Sequence, residues 1–222
     1  MGAAISYGWN AVFKAAGFWI VLMLLAWLIV GAVTFLLNPA VSASFSGMGT
    51  DYSRAAVTGF SVMALVANLI TGIVSGIIGG AFANGGLKQS AGHKPTLGEA
   101  FKIPNMQNVL IWAVVWAVVS GLLSAVAPGL AIITVIVGFL TIFAYPFIID
   151  RNHSWIDGLK GSVQMVTQNL GSTLLLALAL LGINIVGALL CGLGLLITVP
   201  MSVAASVFAY RSFSQQPIAP PV

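Results

Sequence analysis

The sequence predicts an all-α polytopic membrane protein with six transmembrane helices set as three hairpins, a short interfacial amphipathic helix before each hairpin, and both termini cytoplasmic. Three observations carry the prediction. Of 222 residues, 59% are hydrophobic and only 5% charged, against roughly 25% charged in soluble domains, and the mean hydropathy is +1.08. Uncharged apolar runs recur at the length that crosses a hydrocarbon core, about 20 helical residues. The cations collect on one side of the resulting topology. No polar stretch is long enough for a separate soluble domain, so residues 1–213 read as one transmembrane domain and 214–222, "SQQPIAPPV", as a Pro-rich tail, disordered or in polyproline II.

The first run, 17–37, follows Lys14 and imitates a signal peptide. It is longer than a signal core of about 7–15 residues and no A-x-A-like site clearly ends it, so it reads as a retained span. The second run, 57–83, is long enough to tilt. Residues 109–149 carry no charge; as one helix they would reach about 60 Å, twice what one crossing uses. The chain must fold back, and "AVAPGLA" supplies the turn at Pro128 and Gly129, giving spans 109–127 and 130–149. By the same reasoning "LLCGLGLL" breaks the next run at Gly192 and Gly194 into spans 172–190 and 195–210. Pro146 and Pro200 fall inside spans, where neighbouring helices satisfy the freed carbonyls.

On this topology Lys14, Lys88, Lys94, Lys102, Arg151, Lys160 and Arg211 share one side and Arg54 stands alone on the other. That asymmetry places both termini in the cytoplasm of a bacterial plasma membrane protein. Before the first, third and fifth spans stand "WNAVFK" (9–14), "LGEAFK" (97–102) and "WIDGLK" (155–160), a weak internal repeat. The second and third copies open with S/T-x-x-D/E, Thr96 to Glu99 and Ser154 to Asp157, which fits helix N-termini.

The stretch 150–160 concentrates Asp150, Arg151, His153, Asp157 and Lys160 in an otherwise nearly charge-free chain. An acid/base or metal site is one reading. The other follows from spacing: Trp155, Ile156, Leu159, Val163, Val166 and Leu170 fall on one helical face, with Asp157, Lys160, Gln164, Thr167 and Gln168 opposite. A helix in the interface accounts for all of them, Ser154 and Asp157 capping it, Trp155 at headgroup level and Lys160 snorkelling towards anionic lipid.

No expected span contains Asp, Glu, Lys, Arg or His, the groups that ion pathways and proton relays use. There is no H-E-x-x-H, G-x-S-x-G or Walker lysine motif. Cys191 is the single cysteine and His93 sits in a loop, so no metal site, catalytic residue or cofactor is expected, and no basic run points to nucleic acid. Inside the membrane, Gly72, Gly76 and Gly80 at spacing four allow close helix approach, within the chain rather than between copies. Asn68 and Asn184 are read as interhelical hydrogen-bonding groups, with lining of a polar cavity as the other role.

At "GGLKQSAGHKPTLGEAF", "YPFIIDRNHSWIDGLKGS", "LLCGLGLLITVP" and "FAYRSF" the sequence resembles a broad group of uncharacterised bacterial six-helix membrane proteins. The group includes actinobacterial proline- and glycine-rich transmembrane proteins and the membrane domain of some glycerophosphoryl diester phosphodiesterases. The resemblance implies the aspartate closing the fourth helix (Asp150), the amphipathic helix 154–168, the C-G-x-G turn at 191–194 and the A-Y-R end at 209–211. It implies no activity; neither the group's proline-rich N-terminal extension nor its phosphodiesterase domain is expected here, so no function of those parts is expected to transfer. The leading functional expectation is a non-catalytic scaffold or accessory subunit of a larger assembly, such as a respiratory or envelope complex, with membrane lipids and other subunits as partners. A transporter or channel for a small or apolar molecule comes second, and a surface lipid-modifying enzyme third.

Overall fold

A computed structural model of the chain describes residues 2–37, 62–126, 131–190 and 192–222, the side chains of 62–65, 123–126 and 131 excepted. Arg54, the start of the expected second span, the Pro128–Gly129 turn and Cys191 lie outside the described residues. Those described form α1 (Gly2–Lys14), α2 (Ala16–Leu37), α3 (Val62–Ser90), α4 (Leu97–Phe101), α5 (Met106–Val126), α6 (Ala131–Leu140), α7 (Ala144–Asp150), α8 (Trp155–Gln168), α9 (Leu170–Leu189) and α10 (Leu195–Phe213). Five stretches among them are long and apolar enough to cross a membrane: Ala16–Leu37, Val66–Ser90, Ile132–Asp150, Leu170–Leu189 and Leu195–Phe213. Met106–Leu122 is a shorter apolar helix. The protein is thus an all-helical multi-pass membrane protein over its described residues.

Its core gathers Trp19 and Leu22 of α2, Phe143, Ile148 of α7, Leu176 of α9, and Met201 and Tyr210 of α10. Helix α1 buries Ala4, Tyr7, Gly8, Ala11 and Val12 at helical spacing. A Cβ on Gly8 would stand 2.5 Å from the carbonyl oxygen of Met201, so small residues let α1 lie directly on α10. Its outer face presents Trp9 and Phe13, rings 4.7 Å apart.

Three elements differ from expectation. The fourth span is not one helix: it breaks at residues 141–143 between α6 and α7. Pro146 has no N–H for the carbonyl of Ile142 and its ring crowds that carbonyl, which displaces the helix upstream. The Ala144 N–H turns to Thr141 O at 2.9 Å, leaving Leu140 O and the Phe143 N–H to be satisfied. Ser162 of α8 does both, accepting from Phe143 N at 3.1 Å and donating to Leu140 O at 2.8 Å.

The second difference is the burial of α8. Gly158, Ser162, Met165 and Val166 are buried, and Gly158 and Gly161 bring the helix against Ile148 and Phe147 of α7. The buried face is rotated from the expected apolar one, because two glycines and a serine make the closest contacts while Ile156 is left 43% exposed. The third is the tail, expected to be disordered or in polyproline II and given no partner within the chain. Residues 214–222 lie along the ends of α3 and α10, with Gln216 N donating to Arg211 O, Ala219 N to Ser90 O and the Gln89 amide to Val222 O at 2.9, 2.9 and 3.1 Å. Prolines at 217, 220 and 221 keep the chain extended, and the N–H groups of Gln216 and Ala219 find carbonyls.

Candidate functional site: a membrane groove beneath a polar lock

At one end of the bundle the helices finish in polar residues that bind one another. Asn84 of α3 donates to Glu99 O, Ala100 O and Lys102 O at 2.9, 3.0 and 3.3 Å, fixing α4. Thr96 caps α4 by accepting from Glu99 N, and the Glu99 carboxylate meets Lys88 at 2.7 Å. The hydrogen bond from Lys88 holds the Glu99 carboxyl below its usual range. Gln89, 1% exposed, accepts from the Trp19 indole at 3.0 Å and donates to Ala11 O at 2.8 Å, joining α1, α2 and α3.

Asp150 and Arg211 complete this lock. Tyr210 OH and the Gln216 amide donate to Asp150 Oδ2 at 3.0 and 2.8 Å. Arg211 lies 3.9 Å from Asp150 Oδ1 and donates to Pro217 O and Leu87 O at 3.0 and 3.2 Å. An open cavity of about 540 Å³ adjoins them, with His93, Lys88 and Glu99 on its wall. Its polar groups other than His93 are bonded within the chain, so the cluster fastens α3, α7, α10 and the tail. The sequence reading placed Asp150 at a helix end and missed these partners; the Asp150 and A-Y-R motifs were visible separately, without a sign that they meet.

In the stretch 150–160, Ser154 accepts from Asp157 N at 3.1 Å and donates to Asp157 Oδ2 at 2.6 Å, so that pair caps α8. Trp155 and Leu159 pack partly buried against the core while Asp157 and Lys160 are exposed. Asn105, with φ +57°, reaches from the turn before α5 to Ile148 O and His153 O at 3.2 and 2.7 Å. Asn108 accepts from Trp155 N at 3.2 Å. Asn105 and Asn108 have no role in the sequence reading, because their partners lie more than 40 residues away in the chain. Among the described residues no three His, Cys, Asp or Glu side chains gather as a metal would require.

The glycines at spacing four face α5. Gly72 meets Ala117, Gly76 meets Ala113, and Gly80 meets Val109 and Ile103, a register in which α3 ascends as α5 descends. Tyr145 of α7 lies against Gly76, Gly79 and Gly80. Asn184 of α9 donates to Ser202 Oγ of α10 at 2.8 Å and to Leu180 O at 2.9 Å, while its Oδ1 is buried without a partner. Asn68, in contrast, is exposed on α3. It sits near the start of the apolar stretch Val66–Ser90, at the end away from Lys88, where an amide can meet headgroups instead of a neighbouring helix.

Between α2, α3, α7, α9 and α10 the bundle leaves an open-sided groove of about 610 Å³. Met23, Ile78, Phe82, Pro146, Leu180 and Val199 make its walls apolar, and Ser75, Tyr145, Asn184, Ser202 and Ser206 add a few hydroxyls and one amide. An apolar cavity with few convergent polar groups is how proteins receive small molecules.

No protein-family model and no solved structure matches the chain. It is 30% identical, over 237 aligned residues, to the uncharacterized proteins Rv2560 of Mycobacterium tuberculosis and Mb2590 of Mycobacterium bovis. The alignment covers 96% of this chain and 68% of theirs. On that identity and coverage, the chain belongs to the same family as these mycobacterial proteins.

Proposed function

We propose that the chain is a non-catalytic, six-span protein of the bacterial plasma membrane that takes a small apolar molecule from the bilayer into the groove between α2, α3, α7, α9 and α10. The groove itself is the observation that carries this reading. Its volume of about 610 Å³ falls in the usual range for ligand pockets, about 300–1,000 Å³, and Ser75, exposed on its wall, offers a hydroxyl to a ligand's polar group. The sixth span is α5, whose 21 residues Met106–Val126 are mostly apolar and carry no charge, and the cation asymmetry supports cytoplasmic termini.

An accessory subunit of a larger membrane complex is the second reading. It is favoured by Leu174, Leu178, Leu181 and Ile185, exposed along α9 beside the groove, a face that a partner's helix would cover. Membership of the wider six-helix group of proline- and glycine-rich transmembrane proteins is supported by Asp150, Gly192, Gly194 and the A-Y-R end. Purification in mild detergent followed by native mass spectrometry separates the readings. A retained small-molecule mass on the single chain supports the groove; a stoichiometric partner protein with no such mass supports the subunit.

A further inference from the structure

We propose that a second cavity, of about 480 Å³ between α8 and the end of α10, binds the phosphate of an anionic membrane phospholipid. Phe147, Arg151, His153, Lys160 and Gln164 line it. The Arg151 guanidinium stands 5.2 Å over the Phe147 ring, and the His153 ring stacks on the same ring at 6.1 Å and 14°. Phe147 is 5% exposed, so a rigid core residue fixes both nitrogen-bearing groups. His153 Nδ1 is buried with no hydrogen-bond partner. Lys160 makes no ion pair among the described residues.

Asp157 is the carboxylate on this wall, and its Oδ2 is engaged by the Ser154 hydroxyl at 2.6 Å. Two cations therefore face one carboxylate already bonded to the α8 cap. An arginine fork with a lysine point charge is the chemistry that holds a phosphate, and basic pockets beside transmembrane helices take lipid headgroups. The surroundings specify a lipid as its source. Gln168 and Asn169 close the cavity where α9 begins, and from there exposed Leu170 and Leu174 run along α9, an apolar track for the acyl chains.

The test is native mass spectrometry of the full chain in neutral detergent, titrated with phosphatidylglycerol or phosphatidylcholine of matched chains. Phosphatidylglycerol is expected to bind more tightly. Arg151→Gln with Lys160→Gln should weaken it by about fivefold per cation removed, while Lys94→Gln with Lys102→Gln leaves it unchanged. Gln164→Glu, at an exposed position, should also weaken it, and decides the matter if the double variant fails to fold. Equal binding of the two lipids would overturn the proposal, as would equal loss in the loop variant. Displacement of the lipid by an equal concentration of free glycerol phosphate would overturn the lipid assignment in favour of a soluble anion.

Discussion

At Ser162 a single hydroxyl serves two backbone groups that the break before α7 sets free. The Phe143 N–H is buried and the Leu140 carbonyl partly so, so removing the hydroxyl leaves a buried donor without a partner. Ser162→Ala should destabilise the protein by about 1–3 kcal/mol, the cost of a buried unsatisfied polar group. Thermal unfolding in detergent checks it, with Thr167→Ala as the comparison, because Thr167 bonds only within its own helix and is exposed. Residue-level reading from sequence succeeded where one local rule decides, as in the Ser154 and Thr96 hydroxyls that accept from Asp157 N and Glu99 N. It failed at Ser162, Asn105 and the Asp150–Tyr210 pair, since each joins residues distant in the chain and a small polar side chain carries no sign of its tertiary partner.

On the scale of elements, α3 and α5 are held by close approach of Gly76 to Ala113 and Gly72 to Ala117. Without side chains between them, van der Waals contact of the two backbones replaces the hydrophobic driving force that lipid removes. Gly76→Leu should lower folded yield and cost about 1–3 kcal/mol or more by overpacking. Gly171→Leu, where a Cβ meets nothing within 4 Å, should be tolerated in the same melting assay. The helical runs were legible because a span declares itself by length and hydropathy alone. The break at 141–143 was not, although Pro146 stood in view. Whether a proline kinks, breaks or passes through a span depends on what a neighbour offers the freed carbonyls, and here that neighbour was α8. Likewise α8 read as an amphipathic helix, but which face is buried followed from Gly158 and Gly161 fitting Ile148 and Phe147, a packing fact outside any hydropathy pattern.

For the whole molecule, the arrangement is a bundle locked at one polar end by Asp150, Arg211, Gln89 and the tail, with the apolar groove open beneath. The tail's docking also explains why a nine-residue Pro-rich segment read as free: its partners, Ser90 O and Gln89, belong to a helix far away in sequence. Reporter fusions after Val222 and within residues 47–50 should fall on opposite sides of the membrane, because the proposed six-span topology gathers the cations Lys88, Lys94, Lys102, Arg151, Lys160 and Arg211 on the cytoplasmic side. A shared side would remove the six-span arrangement.

The most direct test of the central claim, that the groove receives a small apolar molecule, is to fill it. Ala177 lines the groove from α9, so Ala177→Phe places a ring in the ligand's space while leaving the polar lock untouched. Wild type and variant are purified alike from native membranes in mild detergent, checked for equal melting temperature, and weighed intact by native mass spectrometry. The account predicts a small-molecule mass retained by the wild type and lost from Ala177→Phe. The same retained mass on both proteins, or none on the wild type, would contradict it.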